Sequence, residues 1–283
     1  MEIIIPVICF AVLGGVLGLA LAFASKVFEV KVDERIPKIV EILPGANCGG
    51  CGYAGCSALA EAIVKGEASP SACNASSPEK IKAISEILGI EVTVSRRMRA
   101  QVMCSGTSGI AKQKYNYEGT HDCIAEAALG GGSKTCPNGC LGLGTCVSVC
   151  QFDAISVKDG VAYVDYKKCT GCGRCATVCP KHIIRLIPYD SAYWVGCMSV
   201  DNGKITRSYC DVGCISCRLC ERSCEVGAIK VTDFVASIDY EKCIGCGKCA
   251  AACPRKIIHS PESSAPQVSA PKKEPVAAET TAE

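Results

Sequence analysis

Two stretches decide the fold: VAYVDYKKCTGCGRCATVCP at 161–180 and VASIDYEKCIGCGKCAAACP at 235–254. They repeat at an offset of 74, and the match runs backwards without a gap. It pairs Cys123 with Cys197, Cys136 with Cys210, Cys140 with Cys214, Cys146 with Cys220 and Cys150 with Cys224. At one cysteine position it fails, since Leu143 stands where the second copy has Cys217. A long internal period marks a duplicated supersecondary unit, and the modules expected are 112–185 and 186–259. The second copy reads Cys214-x2-Cys217-x2-Cys220-x3-Cys224, then Cys243-x2-Cys246-x2-Cys249-x3-Cys253-Pro254. Two-residue gaps let a tight loop wrap three thiolates round one [4Fe–4S] cube, and the fourth cysteine of each run reaches the neighbouring cube. One cluster is therefore expected on Cys214, Cys217, Cys220 and Cys253, and its neighbour on Cys243, Cys246, Cys249 and Cys224. In the first module the same crossing gives Cys169, Cys172, Cys175 and Cys150. The remaining cluster has Cys140, Cys146 and Cys179, with Cys136 the nearest candidate for the ligand missing at Leu143; the alternatives are a three-cysteine site or none. Zinc favours two well-separated C-x-x-C pairs over four cysteines in a run closing on proline.

This half of the chain resembles bacterial two-cluster ferredoxins. The resemblance implies short strands and a short helix in each half, packed about a pseudo-twofold axis. Residues 154–157 and 228–231, each followed by VAYVDY or VASIDY, read as hairpin strands.

The chain holds 25 cysteines in 283 residues. Disulfide scaffolds belong to short secreted chains, whereas these thiols mostly fall three residues apart, which suits convergence on metal centres and a reducing compartment. A net charge of +2 and the lack of a basic, aromatic-interleaved block give no nucleic-acid signal. No nucleophile–base set and no complete phosphate loop occurs; Gly132-Ser-Lys-Thr135 lacks the order such a loop needs. No catalytic residue is assigned.

Ahead of the repeat lies LPGANCGGCGYAGC at 43–56, with Cys73 beyond it. Three cysteines on a glycine-rich turn and one returning past a short helix (57–65, stopped by Gly66) form a plausible single cluster on Cys48, Cys51, Cys56 and Cys73. A second helix is expected over 78–88, with Ser77 as cap, Pro78 in the first turn and Gly89 as its end. The first residues differ in kind. Ile3 to Ser25 carry no charge, a length that spans a bilayer as a helix. Lys26, Lys31, Arg35 and Lys38 follow, so the bulk of the chain is expected on the cytoplasmic side.

A single N-terminal membrane helix, then LPGxNCGGCGYxGC with a distant fourth cysteine, then ferredoxin modules, resembles the RnfB family, the B component of the Rnf complex, over residues 1 to about 260. That family implies a membrane-bound ferredoxin:NAD+ oxidoreductase that exports Na+ or H+. It also implies reduced ferredoxin as donor and other Rnf subunits as partners. The expected fold is α+β: a transmembrane anchor (1–26), a small helical [4Fe–4S] domain (27–90), a linker (91–111), two ferredoxin-like modules, and a disordered tail (260–283). Electrons are expected to enter at a module cluster and leave through the N-terminal one. Five clusters leave Cys9, Cys104, Cys123, Cys197 and Cys210, and a sixth cluster from the last four is the open question; free thiols are the alternative. Arg96, Arg97 and Arg99, with Lys112 and Lys114, form either a ferredoxin-receiving patch or a solvated face. The rival reading is a soluble polyferredoxin carrier serving another membrane redox complex, which leaves the apolar start unexplained.

Overall fold

The computed structural model describes residues 4–27, 33–91 and 96–261. Helix α1 (Ile4–Val27) is a continuous 24-residue rod. Its described side chains run from Phe10 to Ala24 and include Lys26, a shorter stretch than its backbone, and the large apolar ones are exposed. Among the described residues no helix is long and apolar enough to cross a membrane.

The N-terminal domain is three short helices round one core. Helix α2 (Arg35–Ile42) is absent from the sequence expectations, although Ile36, Ile39, Val40 and Leu43 have helical spacing. Asp33 starts it by accepting the Arg35 N–H at 2.9 Å. Helix α3 (Cys56–Val64) buries Leu59, Ala60, Ala62 and Ile63. Helix α4 (Pro78–Leu88) falls on the expected residues, with Ile81 and Ile84 buried and Gly89 ending it at φ 66°. Ile39, Leu59, Ile63 and Ile84 pack together with Cys73.

Four two-stranded antiparallel sheets follow. Strand β1 is Met98–Val102; α5 (Cys123–Ala128) and α6 (Thr145–Ser148) come before a hairpin of β2 (Ile155–Lys158) and β3 (Val161–Val164). Helix α7 (Arg174–Val178) then leads to β4 (Ile184–Pro188), which pairs with β1. In the second module, β5 (Trp194–Val195), α8 (Gly203–Tyr209) and α9 (Leu219–Arg222) precede a hairpin of β6 (Ile229–Thr232) and β7 (Val235–Ile238). Helix α10 (Lys248–Ala251) leads to β8 (Ile258–His259), which pairs back on β5. The two cores are built from repeat-equivalent residues, Ile155, Ala162 and Ile184 in one and Ile229, Ala236 and Ile258 in the other.

The pairing revises the repeat. Val102 faces Ile184, and Val195 faces Ile258. Ile184 and Ile258 keep the offset of 74, but Val102 and Val195 stand 93 apart. Module 1 therefore begins with β1, inside the stretch expected as linker, and carries 19 extra residues before the gapless register resumes. The arginines are also not free. Arg99 is buried between the modules, donating to the Ser191 carbonyl at 3.0 Å and lying 5.1 Å from the Trp194 ring. Arg96 pairs with Asp190 at 2.7 Å, and Arg97 covers Tyr189 at 3.9 Å. Of the three, only Arg99 is withdrawn from the surface; Arg96 and Arg97 stay exposed beside Asp190 and Tyr189. The tail expected over 260–283 lies outside the described residues from 262 on.

Candidate metal centres

Twenty of the cysteines stand round five cavities. Cys48, Cys51, Cys56 and Cys73 line the N-terminal one. The loop that carries them is set by Asn47, which holds φ 47° and accepts the Cys56 N–H at 2.8 Å. Cys150, Cys169, Cys172 and Cys175 line a second (the Cys172 site). Cys214, Cys217, Cys220 and Cys253 line a third (the Cys214 site), and Cys224, Cys243, Cys246 and Cys249 a fourth (the Cys246 site). In each module pair, the last cysteine of one run has crossed to the other run's cavity.

The fifth cavity differs from the sequence reading. It is lined by Cys140, Cys146, Cys179 and Cys123, not Cys136. The start of α5 brings Cys123 there: its N–H donates to Thr145 Oγ1 at 2.7 Å, and that hydroxyl donates to Asp122 at 2.7 Å. Cys123 thus comes in from outside the run to the place that Leu143 leaves without a thiol. The five cavities are alike in size.

Cys136 lies elsewhere, between the modules, with Cys104 and Cys210. A Cβ on Gly106 would sit 3.6 Å from Cys210 Sγ and 3.7 Å from Cys104 Sγ. The Cys104 charge also bears on Cys136, Cys210 and Cys197. These four form two equivalent pairs. Cys136 matches Cys210 at the offset of 74. Cys104 matches Cys197 by position after β1 and β5 and by partner: the Cys140 N–H donates to Cys104 Sγ at 3.5 Å, and the equivalent Cys214 N–H to Cys197 Sγ at 3.4 Å. The set foreseen from sequence, Cys104, Cys123, Cys197 and Cys210, thus exchanges Cys123 for Cys136.

The donor set suits anionic sulfur. Backbone N–H groups point at Cys169 from Ala100 (3.4 Å), at Cys140 from Ala162 (3.4 Å) and at Cys224 from Ala228 (3.2 Å). Burial pushes the free thiols of Cys146, Cys175 and Cys197 up to about 12, and those of Cys136, Cys140 and Cys220 to about 11. Metal binding displaces such protons to solvent, because the ligand is the thiolate. Among the described residues, no three His, Cys, Asp or Glu side chains converge closely enough for a single ion; the thiols surround a space instead. Lys134, from the Gly132–Thr135 stretch, is buried, and its ammonium donates to the Gly106 carbonyl at 2.7 Å and the Gly160 carbonyl at 3.0 Å. It pins the loops beside Cys104 and Cys140, a role that sequence reasoning missed because a buried lysine has no local signature.

The sites are close neighbours. Cys172 lines both its own cavity and the N-terminal one. Gly50 allows that approach, because a Cβ there would lie 2.3 Å from the Cys172 carbonyl oxygen.

Three family profiles match the chain: "Putative Fe-S cluster" over residues 43–75, "4Fe-4S binding domain" over 162–185 and "4Fe-4S dicluster domain" over 213–257. The B component of the Na(+)-translocating ferredoxin:NAD(+) oxidoreductase complex of Acetobacterium woodii is 44% identical over 90% of this chain and 77% of its own length. The B component of the ion-translocating oxidoreductase complex of Methanosarcina acetivorans is 43% identical over 87% and 94%. Its counterpart in the proton-translocating ferredoxin:NAD(+) oxidoreductase complex of Clostridium ljungdahlii is 36% identical over 90% and 92%. Identity at this level along nearly the whole chain, added to cysteine sites of one kind from end to end, shows that the chain belongs to the RnfB family of Rnf ion-translocating oxidoreductase complexes, as an iron–sulfur electron-transfer subunit with several [4Fe–4S] clusters.

Proposed function

We propose that the chain relays electrons along a single row of six four-cysteine sites, from reduced ferredoxin towards the membrane subunits of its complex. Thiolate-bound [4Fe–4S] cubes supply one-electron chemistry with little rearrangement, at potentials set by hydrogen bonds, charge and exposure. The observation that carries the reading is the order of neighbours. Cys172 lines the N-terminal cavity, the Cys140 N–H donates to Cys104 Sγ and the Cys214 N–H to Cys197 Sγ, while Cys146 and Cys175, and Cys104 and Cys197, are near enough for their charges to act on each other. Within module 2 the crossed cysteines Cys224 and Cys253 tie the Cys214 and Cys246 sites together. The row then reads N-terminal site, Cys172 site, Cys140 site, the inter-module group of Cys104, Cys136, Cys197 and Cys210, Cys214 site, Cys246 site. The ligands are the cysteines that line each space. The backbone N–H groups aimed at Cys104, Cys140, Cys169, Cys197 and Cys224 stabilise negative sulfur and so ease reduction.

The membrane end is α1. At 1.5 Å per residue its backbone measures about 36 Å, and the sequence beyond its described side chains supplies the remaining apolar length that the hydrocarbon core requires. The uncharged run from Ile3 to Ser25 and the lysines and arginine that follow it favour a single-pass anchor with the cysteine domains on the cytoplasmic face. The N-terminal site, nearest that anchor in sequence, is where electrons leave. The test is stopped-flow mixing of the anaerobically purified full chain with reduced ferredoxin. Bleaching of the cluster absorbance at the expense of ferredoxin is expected. A chain reduced by dithionite but never by ferredoxin rules out the donor.

A further inference from the structure

The repeat makes the two ends of the row comparable. In module 1 the loop Thr170–Gly173 presents Cys172 between two glycines at φ 73° and 84°. The N-terminal domain covers that loop: Gly50 sits on the Cys172 carbonyl, and a Cβ on Gly49 would lie 3.4 Å from the Arg174 guanidinium. The equivalent loop of module 2, Ile244–Gly247, has the same form, with Gly245 and Gly247 at φ 70° and 76°. Ala192 and Tyr193 pack on its two glycines, a Cβ on Gly247 falling 2.5 Å from the Tyr193 hydroxyl, but the tip of the loop stays open. Cys246 is exposed, whereas the other described cysteines are buried or half-buried. Ile244 is 67% exposed, and Val226, across the same site, is 41% exposed. Thr170, the counterpart of Ile244, is polar and half-buried.

Ile244, Val226 and the exposed Cys246 together give the rim of one redox site an apolar face in water. The lysines on either side are already engaged, Lys242 by Asp239 at 3.2 Å and Lys248 by Glu225. Recognition here therefore falls to apolar contact around the exposed Cys246. The position in the row indicates which partner. The Cys246 site is the terminus farthest from the N-terminal site, so it is the end at which electrons come in.

We propose that the Ile244–Gly247 loop is the docking point of the electron donor, and that the donor is a small one-electron iron–sulfur protein. It sets a tight cluster loop of its own against Cys246, as the Gly49–Gly50 turn is set against Cys172. One electron passes from the donor, which is oxidised, to the Cys246 site, which is reduced; no bond is made or broken. The proposal rests on the direction of flow proposed above and adds the place of entry.

The experiment compares the full chain with Ile244→Asp, Val226→Asp and Ile244→Leu. Each is mixed anaerobically with a reduced two-cluster ferredoxin and, separately, with dithionite, and iron per chain is counted for each. Ile244→Asp and Val226→Asp are expected to slow reduction by ferredoxin about tenfold by weakening the encounter, with iron content and the dithionite end point retained. Ile244→Leu keeps the fast rate. Ferredoxin rates in both aspartate variants equal to the parent's, at full iron content, overturn the docking point while leaving the donor in place. A parent chain that ferredoxin cannot reduce removes the donor and the docking point together.

Discussion

Cys123 and Cys136 exchange the parts that their positions in the sequence assign them. Cys123 opens α5 and is carried to the Cys140 site by the Thr145 and Asp122 hydrogen bonds, while Cys136 turns towards Cys104 and Cys210. Residues that serve one site are non-additive, and residues in separate sites add. Cys123→Ser with Cys146→Ser should therefore lose no more iron than either change alone, about four atoms per chain. Cys123→Ser with Cys136→Ser should lose about twice that. Iron analysis of the anaerobically purified variants decides it: equal losses of about eight in the two doubles would put Cys136 back at the Cys140 site, and equal losses of about four would make Cys136 a free thiol. The gapless repeat concealed the exchange for a definite reason. Cys104 and Cys123 are 19 residues apart, the same length as the insertion in module 1, so the wrong cysteine falls opposite Cys197 without any break in register.

Elements fixed by neighbouring residues could be read directly. Helix α4 needs only its proline start, its glycine end and the Ile81/Ile84 face, and the β2–β3 and β6–β7 hairpins need only alternation and a turn. Strands β1 and β5 could not be read in this way, because each is defined by a partner that lies 60 or more residues later. The hairpins also differ in a way that bears on stability. The β2–β3 turn is Asp159–Gly160, at φ 47° and 71°, a pair well suited to left-handed backbone. The β6–β7 turn asks the same of Asp233 and Phe234, at φ 48° and 64°, and the phenylalanine ring is exposed and gains little from packing. A bulky residue in that region costs about 1–2 kcal/mol. Phe234→Gly should therefore raise the midpoint of anaerobic thermal unfolding of the cluster-loaded chain, and an unchanged or lowered midpoint would show the strain to be absent.

At the scale of the whole molecule, the duplication does more than multiply sites. Each module brings one cysteine from just after its leading strand and one from the approach to its first run, and the two pairs come together between the modules. Two separate two-site modules thereby become a continuous row, closed at one end by the N-terminal domain and open at the other at Cys246. The proposed anchor is separable from that row. Deleting residues 1–26 should move the chain from the membrane to the soluble fraction with its iron intact, and retention in the membrane would assign the attachment to another surface. The most direct test of the row itself is iron and acid-labile sulfide per chain, with EPR of the fully reduced protein prepared without oxygen. Six cubes predict about twenty-four irons, an equal number of sulfides, and signals broadened by coupling between neighbouring clusters. A colourless protein in which the same cysteines hold a few zinc ions, with no sulfide, would contradict it.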